Sequence, residues 1–197
     1  MFPISHFNIT RTPFYYYDKT LLSNTLAKLI RLAGERNYHV HYAVKANANP
    51  EILKLIAASG IGADCVSGGE IKAALEAGFP AKKIVFAGVG KADWEIEYAL
   101  EKKIFCFNVE SAEELSVIEE LAKKKENIAS IALRINPNID AHTHEYITTG
   151  LSENKFGIPI EMLDSIFSQI QRSPHVQLVG FHIHIGSQIL NLETFHV

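Results

Sequence analysis

The sequence predicts an α/β protein built as a (β/α)8 barrel, with about six of the eight strands present in its 197 residues. Three observations lead there. Short β-rich runs recur along the chain (HVHYAV, GADCV, KIVFA, IFCFNV, IASIALRI and VQLVGFHIHI), the first four about 22 residues apart with helical spacing between them. That is the alternation of a parallel sheet with crossover helices. Two of these runs pass straight into helix starts: Ser67-Gly68-Gly69-Glu70 follows DCV, and Ser111-Ala112-Glu113-Glu114 follows FNVE. Each places Ser and Glu three apart, the pattern that satisfies free amides in a first helical turn. Finally, no GxGxxG turn follows any strand, which favours a barrel over an open dinucleotide-binding sheet.

In chain order, an amphipathic helix is expected from about Thr20 to Ala33, and Lys45 closes the first strand in Tyr42-Ala43-Val44-Lys45-Ala46-Asn47. The helix after Ser111 repeats apolar residues at Leu115, Ile118, Leu121 and Ala122 and ends in Lys123, Lys124 and Lys125, where cations suit the negative end of the helix dipole. From about Asn136 to Gly157 neither period is present, and a stretch of that length inside a compact domain is usually a working loop. It follows the fifth strand, at the barrel face where such enzymes do chemistry. A last helix runs from Pro159 through Leu163, Ile166, Phe167 and Ile170. A barrel has no edges only when closed, so six strands leave two edges and apolar surface uncovered; the chain is expected to be a fragment.

With 47% hydrophobic and 21% charged residues, one globular domain is expected over residues 1–197. A net charge of -3 with both signs scattered offers no basic stripe for phosphates, which argues against nucleic acid and anionic membranes as partners. The opening MFPISHFNITRTPFYYY lacks the basic start and apolar run of a leader, and no run approaches a membrane span; a cytoplasmic address is expected. Cys65 and Cys106 are too few for a disulfide framework and read as small buried hydrophobes.

Several residues can carry chemistry. Lys45, at a strand end among apolar neighbours, is expected to be partly desolvated, which would lower its proton affinity and let it attack an aldehyde; pairing with a carboxylate, Asp64 for instance, is the plainer role. His182 and His184 alternate with Phe181, Ile183 and Ile185 and so face one side of their strand. They read either as hydrogen-bonded interior imidazoles or as flat rings able to stack on a planar cofactor. Gly186-Ser187 offers close backbone approach and a hydroxyl suited to a phosphate, or simply a tight turn. Asp140-Ala141-His142-Thr143-His144-Glu145 has ligand types for a divalent ion, though solvated or substrate-facing side chains are the favoured reading in a polar loop. Arg134, set between Leu133 and Ile135, needs a carboxylate or phosphate partner.

Taken together, TPFYYYD, YAVKAN, GADCVSGGE, NPNIDAHTHEYITTG running into NKFGI, and HIHIGSQ resemble the barrel domain of the pyridoxal-phosphate decarboxylases that act on ornithine, arginine and diaminopimelate. The resemblance runs from Thr12 onward. It implies a PLP-binding barrel with pyridoxal 5'-phosphate on Lys45, His184 stacking on the ring, Gly186 and Ser187 at the phosphate, and Asp64 and Arg134 supporting the cofactor face. Glu70 and Lys155 match further positions near the mouth, with a capping glutamate and a loop cation as the plain readings. The AHTHEYITTG loop and the SGGE and HIGSQ motifs are most similar to members acting on diaminopimelate. The implied reaction is therefore decarboxylation of meso-2,6-diaminopimelate at its D-configured carbon, giving L-lysine and carbon dioxide.

The same resemblance implies that the C-terminal β-domain is absent, that residues 12–18 form a strand pairing with it, and that the complete protein is a homodimer sharing its active site. On this reading the substrate is a small amino acid, no metal is expected, and the fragment alone is inactive. Three other readings stay open: a barrel that holds the cofactor without turnover, a decarboxylase for another basic amino acid, and a metal-dependent hydrolase using His142, His144, His182 and His184.

Overall fold

The computed structural model describes residues 3–136, 156–184 and 186. The chain folds as two compact units, Met1–Tyr38 and His39–Val197, where composition led to the expectation of one. The first unit contains helix α1 (Ile4–Ile9) and helix α2 (Lys19–Gly34). The second contains strands β1 (His41–Ala43), β2 (Gly62–Cys65), β3 (Ile84–Phe86), β4 (Cys106–Val109), β5 (Ala129–Asn136), β6 (Ile158–Pro159) and β7 (Val176–Ile183). Its helices are α3 (Pro50–Ala58), α4 (Gly68–Glu76), α5 (Asp93–Lys102), α6 (Ala112–Lys124) and α7 (Leu163–Arg172).

In the first unit, α2 starts where Asp18 accepts the Leu21 amide at 2.9 Å, close to the limits that periodicity predicts. The segment 12–18 carries no strand among the described residues. Its Tyr15 and Tyr17 rings stack at 6.4 Å, and the Tyr16 ring meets Phe7 edge-on at 5.2 Å.

All six β-rich runs become strands of one sheet in the second unit. Neighbours are β1-β2-β3-β4-β5 in sequence order, and β5 pairs with β7 along its length; every pair is parallel. Apolar side chains from strands and helices make the core, with Phe86, Ile131 and Leu133 from the sheet and Ile71, Ile96, Leu115 and Ile118 from the helices all fully buried. Parallel strands with helices between them bring every C-terminal strand end, and therefore every following helix N-terminus, to one face.

Local chemistry on that face explains why the helices start where they do. Asn49 caps α3 by accepting the Glu51 and Ile52 amides at 3.0 and 3.4 Å, with Pro50 at the first helical position. Ser67 accepts the Glu70 amide at 3.2 Å while Glu70 Oε2 accepts the Val66 amide at 2.8 Å; Glu70 thus acts as a capping glutamate. Ser111 and Glu114 repeat the arrangement at α6, with Glu114 Oε2 on the Glu110 amide at 3.0 Å. The buried Glu95 joins two helix starts, accepting the Gly68 amide at 2.7 Å and the Ala92 amide at 2.9 Å. Gly68 is required by close approach, because a Cβ there would lie 2.9 Å from the Trp94 ring.

One feature differs from expectation. Pro159 does not begin a helix: with Ile158 it forms the short β6, paired in parallel with Ile135 and Asn136 at the end of β5, and a one-turn 3₁₀ helix over Ile160–Met162 precedes α7. Burial of Ile158 draws this two-residue strand onto the sheet, a length too short for a period to register. On β7, Val179, Phe181 and Ile183 are exposed while Gly180 and His182 are half-buried, so the strand alternates as the sequence requires.

Candidate active site at the C-terminal ends of the strands

Lys45 lies just beyond β1, in a one-turn 3₁₀ helix spanning Val44–Ala46. It is exposed, which corrects the expectation of a partly desolvated amine: the turn after Ala43 lifts the side chain out of the apolar strand environment. It makes no hydrogen bond or ion pair among the described residues, so the expected pairing with Asp64 is absent. The two are nevertheless near enough to interact, since Asp64 pairs in register with Ala43 and Lys45 exerts a downward pull on the Asp64 carboxylate.

Asp64 Oδ1 is buried without a hydrogen-bond partner. Its carboxyl is pushed above the usual range, mainly by burial; Lys45 and Arg134 pull the other way and Glu70 adds to the rise.

Across the sheet, Arg134 on β5 pairs in register with His182 on β7, so their side chains lie side by side on one face. His182 Nδ1 is also buried without a partner. Burial first, then the Arg134 cation, lowers the His182 pKa to about 4, and the imidazole is neutral at physiological pH. His184, just beyond β7, is pushed down by burial first and then by Arg134 and Lys45. Lys45, Asp64, Arg134 and His184 therefore share one electrostatic neighbourhood at the mouth. Gly186 is half-buried two residues further on.

Arg134 settles the question of its partner. Nη1 donates to both carboxylate oxygens of Glu110, each at 2.8 Å, with both residues buried, and the guanidinium lies 5.6 Å from the Phe156 ring centroid. The backbone beside it is shaped by Gly157, whose φ is +100° and where a Cβ would come within 2.9 Å of the Arg134 carbonyl oxygen.

Sequence reasoning missed Glu110 and Lys91. Lys91 is sealed in, its side chain 1% exposed, and its Nζ donates to the carbonyls of Gly88 at 2.6 Å and Asn108 at 2.9 Å and to Glu114 Oε1 at 2.6 Å. Burial raises the Glu114 pKa, with Lys91 opposing. A charge directly after the apolar strand CFNV was the available signal for Glu110.

Ser187, Lys155, Asp140, His142, His144 and Glu145 lie outside the described residues. Among the described residues no group of three His, Cys, Asp or Glu side chains could hold a metal ion. Cys65 and Cys106 are buried free thiols, as expected; burial pushes Cys65 far up and Cys106 to about 11, so neither is a thiolate near neutral pH.

Residues 23–197 match the family model of the pyridoxal-dependent decarboxylases, pyridoxal binding domain. The chain belongs to this family. It is 58% identical to diaminopimelate decarboxylase of Bacteroides thetaiotaomicron over 196 residues, covering 99% of this chain and 51% of that protein. A mutant diaminopimelate decarboxylase of Helicobacter pylori, crystallised with L-lysine, superposes with a TM-score of 0.91 at 45% identity, covering 97% of this chain and 48% of that one. The M. jannaschii enzyme with L-lysine gives 0.88 at 38% identity, covering 98% and 46%. The chain thus spans about half the length of the relatives it matches, and its parallel sheet belongs to the pyridoxal-binding barrel domain of that family.

The family's cofactor is pyridoxal phosphate, and the donor set at this mouth fits it. Lys45 is an amine with no competing partner among the described residues, suited to an aldehyde. His184 offers a flat ring, Arg134 a cation, and Asp64 Oδ1 an acceptor with nothing yet to accept from.

Proposed function

We propose that this chain is the cofactor-carrying half of an enzyme that decarboxylates meso-2,6-diaminopimelate at its D-configured carbon, releasing carbon dioxide and L-lysine. One observation carries the reading beyond family membership: at a mouth where Lys91 and Arg134 are each ion-paired, Lys45 alone among Lys45, Lys91 and Arg134 has no hydrogen-bond or ion-pair partner among the described residues. The names of the relatives supply the substrate.

In this reading Lys45 holds the cofactor aldehyde, and His184 lies against the ring. Gly186 and Ser187 contact the phosphate, and Asp64 and Arg134 flank the cofactor. Bound pyridoxal phosphate supplies the sink for the electron pair left when the carboxylate departs. The protein's task would be orientation: Lys45, His184 and Arg134 would hold cofactor and substrate so that one bond to the reacting carbon is favoured for cleavage over the others. Neutral His184 suits stacking, because burial and two nearby cations oppose its protonation. Residues 1–197 form the incomplete barrel domain in this reading. Residues 12–18 pair with a C-terminal β-domain, the complete protein is a cytoplasmic homodimer with shared active sites, and the isolated chain has little or no activity.

The test is a substrate panel on the protein at the full length of its relatives, following lysine and carbon dioxide release. Lysine from meso-2,6-diaminopimelate, with ornithine and arginine at least about 100-fold poorer, is the expected result. A preference for another basic amino acid, or full turnover by residues 1–197 alone, would contradict it.

A further inference from the structure

Four charged residues are joined by hydrogen bonds beneath the mouth, two side-chain ion pairs linked through the main-chain amide of Glu110, and nothing in the functional reading above uses three of them. Lys91, in the loop after β3, clamps the Gly88 carbonyl of that loop to the Asn108 carbonyl of β4 and to Glu114 in the first turn of α6. The other oxygen of Glu114 accepts the amide of Glu110. Glu110 in turn holds Arg134 of β5. Two cations and two anions cancel, which is the condition for keeping such groups buried.

The way the chain ends is unlike a plain structural pair. An Arg–carboxylate contact made for strength alone tends to be fork to fork, with two guanidinium nitrogens on two oxygens. Here a single nitrogen, Nη1, takes both oxygens of Glu110, leaving Nε and Nη2 to face other groups. Arg134 also sits in register with His182, and its charge is felt at Asp64 and His184. The position of one guanidinium therefore contributes to the field on several residues around the candidate site, beside burial and Lys45.

We propose that Glu110 is a positioning residue for the reaction and that Lys91 is its anchor: the Lys91–Glu114–Glu110 chain fixes the Arg134 guanidinium relative to the cofactor. The inference rests on the functional reading above and adds three residues to it. Lys91 and Glu114 act on the loop that presents Glu110, and Glu110 acts on Arg134; none of the three has to touch the substrate.

The experiment uses the full-length protein loaded with pyridoxal phosphate and compares wild type with Glu110→Gln, Lys91→Met and Lys91→Arg. Glu110→Gln keeps the shape and removes the charge. It is expected to lower kcat by about 10- to 100-fold with KM changed by no more than about 3-fold, to shift the absorption band of the bound cofactor, and to lower the melting temperature, since the buried Arg134 cation loses its counter-charge, without abolishing folding. Lys91→Met should reproduce the band shift, Lys91→Arg should recover most of the wild-type value, and the Glu110→Gln/Lys91→Met double variant should fall no further than the worse single one, because the residues act as a unit.

A Glu110→Gln protein with wild-type band and kcat overturns the proposal, as does a kcat loss fully accounted for by lost cofactor occupancy. The band is read without turnover, so the two readings fail separately. Wild type that binds the cofactor but decarboxylates none of the panel sinks the assigned reaction and leaves the positioning role to be decided by the shift. Wild type that binds no pyridoxal phosphate sinks both.

Discussion

Two lysines stand at the same end of the strands and are treated in opposite ways. Lys91, after β3, is buried with three acceptors around its Nζ. Lys45, after β1, is exposed and has no partner among the described residues. Around Lys91 every charge is answered: Glu114 by Lys91, Arg134 by Glu110, and the freed helix amides by Glu70, Glu95 and Glu114. Around Lys45 the accounting stays open, with Asp64 Oδ1 buried and unpaired. Buried polar groups are nearly always satisfied because leaving one bare costs about 1–3 kcal/mol. Among the described residues the contrast separates cations that build the mouth from Lys45, the one we propose is left for chemistry.

The sharpest way to break that contrast is to exchange the roles. Lys45→Ala in the full-length protein should reduce kcat/KM by more than about 1,000-fold while leaving the melting temperature of the cofactor-free form close to wild type, as steady-state kinetics and calorimetry would show; a large drop in cofactor-free stability would make Lys45 structural. Lys91→Met should do the reverse to stability, since it strands the Glu114 carboxylate and two carbonyls. A loss of about 3–5 kcal/mol in urea unfolding is expected, and a loss under about 1 kcal/mol would show that the pair is not the anchor.

Acid tests the histidine side of the mouth. His182 has a folded-state pKa near 4 against an ordinary 6.5, so the unfolded chain takes up a proton first as pH falls. Stability should decline between about pH 6.5 and about 4 through this residue, with His184 and His41 acting in the same direction. Asp64 and Glu114 oppose the decline, because their raised pKa values make protonation favour the folded state. Urea midpoints at pH 7 and pH 5 should converge in His182→Gln relative to wild type; equal slopes would show that His182 is not a buried neutral imidazole. The smallest effect belongs to Lys54→Ala. That lysine pairs with Glu51 at 3.0 Å with both side chains well exposed, and its removal should change unfolding free energy by less than about 0.5 kcal/mol.

Much of this was legible in the sequence because it is local. Period and cap chemistry place α2 and α6 to within a residue or two, and Ser67 with Glu70 and Ser111 with Glu114 mark helix starts that the structure forms. The strand-end position of Lys45, Asp64, Arg134 and His184 follows from the same parallel alternation. What escaped is non-local or very short. Lys91, Glu110 and Arg134 come from three separate strand–helix units and meet only because the strands are in register, a relation that no window of sequence contains. The two residues of β6 carry no period. Lys45 was expected among apolar neighbours because Ala43, Val44 and Ala46 flank it in sequence; Val44 is indeed buried, but the 3₁₀ turn after Ala43 rotates adjacent residues to different sides. The division at Tyr38 leaves no composition signal either.

The most direct test of the central claim, that Lys45 is the cation kept free for the cofactor, is chemical trapping. The full-length protein is incubated with pyridoxal phosphate, reduced with borohydride, and the modified lysine located by peptide mass mapping. Modification confined to Lys45, with Lys91 untouched, is the predicted result. Modification elsewhere in the chain, or its absence from Lys45, would contradict the account.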